Sequence, residues 1–157
     1  MIVIRPVPPN RVARVLRFLL VFFAGLTIAS AGELCLELRL VWGANEEKSP
    51  DPLHKPLSAE ESRELQKVFK WKHYFEVNGQ KISPRIGETR KIKMSDKCVV
   101  ETKRLGEARL EVKLVGDGKL VVRQIISLPQ GESLILAGDD KNDTAWFVII
   151  KSVKCAK

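Results

Sequence analysis

Leu34, Leu36, Leu38, Leu40 and Trp42 alternate with Cys35, Glu37, Arg39 and Val41. An apolar period of two predicts a strand with one buried face over residues 34–42. Gly43 to Leu57 breaks the pattern with Pro50, Pro52 and Pro56. It reads as an extended connector, because proline lacks a ladder N–H and restricts the residue before it. Ser58-Ala59-Glu60-Glu61 is a capping box, in which serine hydroxyl and glutamate carboxylate satisfy amides at a helix start. Leu65, Val68 and Phe69 then give a short helix one apolar face. The period returns to two at once, with Trp71, His73, Phe75 and Val77 opposite Lys72, Tyr74 and Glu76. Asn78-Gly79 tolerates the positive φ angles of a type I′ turn and predicts a chain reversal there.

The rest of the chain is a series of short alternating runs: Lys81–Ser83, Arg90–Met94, Cys98–Arg104, Ala108–Val115, Leu120–Leu128, Ser133–Ala137 and Ala145–Val153. Gly116-Asp117-Gly118 and Pro129-Gln130-Gly131 punctuate them. Strands at this spacing with one helix near the start predict a mostly β, α+β fold. The expected architecture is an antiparallel β-sandwich or barrel-like meander whose short helix follows the first strand. Residues 32–57 supply the first strand and the Pro-rich connector. Residues 58–157 supply the helix and the meander, packed with that strand as a single domain of ordinary size.

Residues 1–31 obey a different logic. Arg5, Arg11, Arg14 and Arg17 precede an apolar run from Phe18 to Ile28, which Ala29-Ser30-Ala31 closes. Positive start, short apolar stretch and small residues are the order of a secretory signal, with Ala29 and Ala31 at the positions that fit the peptidase and cleavage before Gly32. The alternative is an uncleaved anchor, but the uncharged stretch from 18 to 32 falls short of the ~20 residues of a spanning helix. The expected address is secreted or periplasmic.

Export changes the reading of composition. Four arginines leave with the signal and no acidic residue does, so the formal charge falls from +8 to +4. That demotes nucleic acid as a partner. A modest attraction to anionic surfaces remains, so membrane contact is expected only through the transient signal or weak surface charge. An oxidising compartment permits a disulfide among Cys35, Cys98 and Cys155. Cys35 begins the first strand and Cys155 follows the last, so these two meet if the strands pair antiparallel. No C-x-x-C spacing or neighbouring histidine supports zinc.

Three places offer chemistry. Trp71, Lys72 and Tyr74 lie in an aromatic and basic stretch that has the residues of a stacking platform for sugars or anionic ligands; the competing reading is a core strand with solvated lysines. Asp139, Asp140 and Asp143 carry oxygens a calcium ion accepts, although Lys141 sits among them and a polar hairpin loop explains them too. Catalysis is thinly supplied. His54 is in the connector, and nothing local brings His73 to Cys98. No nucleophile elbow, metalloprotease pair or phosphate-binding glycine loop occurs.

Phe69-Lys70-Trp71-Lys72-His73-Tyr74-Phe75-Glu76-Val77, Ser95-Asp96-Lys97-Cys98, and Gly131 to Gly138 with Trp146-Phe147-Val148-Ile149-Ile150 resemble segments of small exported bacterial β-rich proteins of unassigned function. The resemblance spans Phe69–Ile150, and Gly131–Gly138 also resembles a hairpin of outer-membrane secretins. It implies an exported β-rich fold and no particular activity or site residue. The function expected is a non-catalytic binding or assembly protein of the bacterial cell envelope, without a cofactor, whose partner is another envelope protein or a glycan. A carbohydrate or anionic-ligand module using the aromatic and basic strand is the alternative, and an enzyme comes third.

Overall fold

The computed structural model describes residues 32–139 and 143–156. Ala29, Ala31 and Asp140 therefore lie outside the described residues. Among the described residues, nine strands and one helix follow in the order β1 (Cys35–Ala44), β2 (Lys55–Pro56), α1 (Ala59–Gln66), β3 (His73–Ile82), β4 (Thr89–Lys93), β5 (Cys98–Arg104), β6 (Arg109–Gly116), β7 (Lys119–Ser127), β8 (Ser133–Asp139) and β9 (Ala145–Val153). They form two antiparallel sheets, β2-β3-β1-β9-β8 (sheet A) and β4-β5-β6-β7 (sheet B). This is the expected β-sandwich with one short helix after the first strand.

The alternation in β1 dictates how the layers stack. Leu36, Leu38 and Leu40 join Val100, Leu110, Val112 and Leu114 of sheet B in the core between the sheets. Val41 points the other way, into a second cluster with Leu65, Trp71, Tyr74 and Phe147 beneath α1 and the segment after it. Sheet A is therefore covered on both faces and sheet B on one.

α1 begins where the capping box places it. Ser58 Oγ accepts the Glu61 amide at 3.2 Å and donates to the Glu61 carboxylate at 3.0 Å. The helix is shorter than its predicted apolar face. It ends at Gln66; Leu65 is buried, Phe69 packs on Phe147 from beyond the helix, and Val68 is exposed.

Two expectations about β3 need correction. No reversal occurs at Asn78-Gly79: β3 runs straight through, with Asn78 paired to Leu40 and Gly79 to Arg39, so Lys81 and Ile82 belong to the same strand. The long partner β1 supplies ladder bonds along the whole strand, and Asn78 Nδ2 donates to the Met94 carbonyl at 2.8 Å rather than supporting a turn. The second correction concerns the faces. Trp71 precedes the strand and shares the helix-side cluster with Tyr74, whereas Val77 packs against the core between the sheets. A strand in a doubly covered sheet buries residues of both parities, and Tyr74 and Phe75 are buried side by side.

The chain returns from sheet B to sheet A across Leu128–Glu132, so β7 and β8 close the two sheets on the same side. Cys35 pairs with Val153 in the ladder, and its sulfur is bonded to that of Cys155, with the Cα atoms 5.2 Å apart. The expected disulfide is therefore present. No helix among the described residues is long and apolar enough to cross a membrane.

Candidate functional site

The residues singled out in the sequence do not assemble into one site. Trp71 and Tyr74 are buried beneath α1 and offer no open ring face for a ligand; Lys72 is exposed beside them. Trp71 Nε1 donates to the Asp143 carbonyl at 3.1 Å. The Tyr74 hydroxyl is buried without a hydrogen-bond partner, and burial pushes its phenol up to about 12. Asp139 ends β8, and the carboxylate of Asp143 is held by Lys70 Nζ at 2.9 Å and Asn45 Nδ2 at 3.4 Å. The one metal-like grouping among the described residues, Glu33 with Cys35 and Cys155, has both sulfurs in the disulfide.

Neither histidine meets Cys98. That thiol is buried, and burial pushes its pKa up, the opposite of the lowering an attacking thiolate needs. His54 has company that the sequence did not signal: Ser49 Oγ lies 2.7 Å from Nδ1, and Asp51 Oδ2 lies 3.6 Å from Nε2. Serine, histidine and aspartate are the residue types of a hydrolytic triad, but here one turn holds them together. Ser49 Oγ also accepts the Asp51 amide, and Asp51 Oδ1 accepts the Leu53 amide at 2.9 Å, as short polar side chains do in connectors.

The two ends of the sandwich differ. At one, Arg104 is buried and donates to the carbonyls of Gly106, Pro84, Gly32 and Glu107, beside a cavity of about 810 Å³ that Leu34, Leu128, Pro129 and Lys154 also line. The other carries two tryptophans. Trp42 and Trp146 are register partners there, beside a cavity of about 640 Å³ that also touches Lys48, His54 and Ser95. A second hollow of about 360 Å³ adjoins it, lined by Lys97, Cys98 and Asp117. Gly138, paired with Trp146, makes room for the indole: a Cβ there would fall 2.3 Å from Cζ2.

The most distinctive surface is the margin of sheet B at β7. Each sandwich edge presents unpaired N–H and C=O groups, and proteins blunt such edges by shortening, charging or covering them. Two of the four edges here are blunted. β2 has two residues, one of them Pro56. β4 carries Arg90, Lys91 and Lys93, and Asn78 and Gln80 of β3 donate to the carbonyls of Met94 and Lys93 beside it. β8 is seven residues long without proline, but it has Leu134 and Leu136 turned inward and no large exposed apolar residue. β7 differs in what it exposes. It is nine residues long without proline, with a bulge at Val121, and Leu120, Val121 and Ile125 are 59%, 41% and 50% exposed. Sequence alternation predicts a strand there, but nothing in it tells an edge from an interior position.

The comparisons with known proteins add no further constraint: no family model, curated protein or solved structure matches the chain.

Proposed function

We propose that this chain is an exported, non-catalytic assembly protein of the bacterial cell envelope that docks a partner by adding the partner's strand to the β7 edge. The carrying observation is the contrast among the edges: two are blunted, β8 exposes no large apolar residue, and β7 is long, free of proline and lined with exposed aliphatic residues. Strand addition uses such an edge, with main-chain hydrogen bonds for affinity and alternate side chains for selectivity. The order of charge, apolar run and small residues in 1–31 supports export. The disulfide fits an oxidising compartment.

The test is site-directed photo-crosslinking in cells that export the protein. A photoreactive residue at Ile125 yields a discrete adduct, and one at Lys91 on the opposite margin does not. Equal labelling from both positions, or none from Ile125, contradicts the reading.

A second reading is favoured by one observation, the half-buried Trp42 and Trp146 beside the hollow of about 640 Å³. A glycan held there quenches or shifts tryptophan fluorescence, and Trp146→Ala abolishes the change. Fluorescence unmoved by envelope glycan fragments removes this reading.

A further inference from the structure

The bare face of sheet B is a grid whose rows can be read strand by strand. Across β4, β5, β6 and β7 the rows are Thr89–Lys103–Glu111–Ile125, Lys91–Glu101–Lys113–Arg123 and Lys93–Val99–Val115–Leu120. Lys91, Lys93, Lys103, Lys113 and Arg123 outnumber Glu101 and Glu111, and both carboxylates are engaged within the face. Glu101 meets Lys91 at 3.1 Å and Lys113 at 3.9 Å, and Glu111 pairs with Arg123. The face keeps a surplus of positive charge, and its middle row ends at the β7 edge on a cation.

A fifth strand laid on β7 extends each row by one residue. Residues facing one another in a ladder lie roughly 4.5–5.5 Å apart at Cβ; opposite charges there stabilise and like charges destabilise. The position beside Arg123 therefore favours a carboxylate, and those beside Ile125 and the exposed bulge of Leu120 and Val121 favour aliphatic side chains. Arg123 has capacity for a second carboxylate. Its side chain is 60% exposed, Glu111 engages the Nε, and a guanidinium carries five N–H donors in a fork.

We propose that the partner of β7 is an acidic β-segment of another protein, with a carboxylate opposite Arg123 flanked on the same face by aliphatic residues. The proposal rests on the reading of β7 as a strand-addition edge. A second copy of this chain fits the charge pattern poorly. Antiparallel pairing that sets Val121 against Ile125 also sets Arg123 against Arg123 and joins two faces that each carry surplus positive charge.

The experiment measures binding of two labelled peptides to the mature protein, built around Val-Thr-Glu-Thr-Val and Val-Thr-Lys-Thr-Val. The glutamate peptide should bind at least about tenfold tighter, with the advantage shrinking as salt rises. Arg123→Gln should erase the difference and Arg123→Glu reverse it, each variant first shown to melt as the parent does. Equal binding of the two peptides leaves strand addition standing and overturns the acidic partner. A preference that survives Arg123→Glu overturns it as well, as does a chain that sediments as a dimer and binds neither peptide. If neither peptide binds and Ile125 also yields no crosslink in cells, the strand-addition reading itself fails.

Discussion

The guanidinium of Arg104 hydrogen-bonds the carbonyl of Gly32, tying the segment that leads into β1 to the end of β5. The same side chain holds the carbonyls of Pro84, Gly106 and Glu107, so one buried cation fastens three chain segments at this end of the sandwich. Lysine keeps the charge but lacks the planar fork that reaches several acceptors at once. Arg104→Lys should destabilise the fold by about 2–4 kcal/mol, read from urea midpoints. An unchanged midpoint would show that the carbonyls find other donors.

At the same end, the Cys35–Cys155 bond closes a loop with a sequence separation of 120 residues. Reduction, or Cys155→Ser, should lower stability by about 2–4 kcal/mol, and the serine variant should no longer respond to reductant. Intact mass of the protein recovered from cells should correspond to a chain beginning at Gly32 with one free thiol, Cys98. A mass that includes residues 1–31 contradicts cleavage there, and three free thiols contradict an oxidising compartment.

At the opposite end, Gly138→Ala should push the Trp146 indole off its present position, since the new Cβ would fall 2.3 Å from the ring. A loss of roughly 1–3 kcal/mol is expected for overpacking, with altered tryptophan emission. Wild-type stability and emission would mean that the ring has space to retreat.

Arg39 meets Glu61 at 2.6 Å and Glu76 at 3.7 Å, joining β1 to the helix and to β3. The hydrogen bond from Arg39 holds the Glu61 carboxyl below its usual range, with a further contribution from Ser58. A carboxyl whose folded pKa is depressed contributes stability above its unfolded value, about 4.3 for glutamate, and loses that contribution as pH falls through the folded value. Glu61→Gln should therefore cost stability at neutral pH and cost progressively less below about pH 4. A gap that persists unchanged at low pH would assign the effect to packing instead.

The fold class was legible because period-two alternation survives in β1, β5 and β6, and because Ser58 and Glu61 mark the helix start unambiguously. The cysteine pairing was legible only on the condition that the first and last strands pair antiparallel, as β1 and β9 do. Turn chemistry was a less secure guide. Asp117-Gly118 does reverse the chain, with positive φ at both residues, whereas Asn78-Gly79 is overruled by the ladder that β1 offers. Tyr74 misleads for a related reason: alternation assumes one wet face, and the helix that dries the second face of sheet A is a tertiary fact. The free edge was the least visible feature, since which strand ends a sheet depends on the connections between strands rather than on the residues within one.

The most direct test of the free edge is amide hydrogen exchange in the protein, with and without the glutamate-centred peptide. Alone, amides of residues 119–127 that point away from β6 should exchange far faster than those of β6, and the peptide should slow them selectively. A β7 already as protected as β6 in the isolated protein, or one left unchanged by peptide at saturating concentration, would contradict strand addition at this edge.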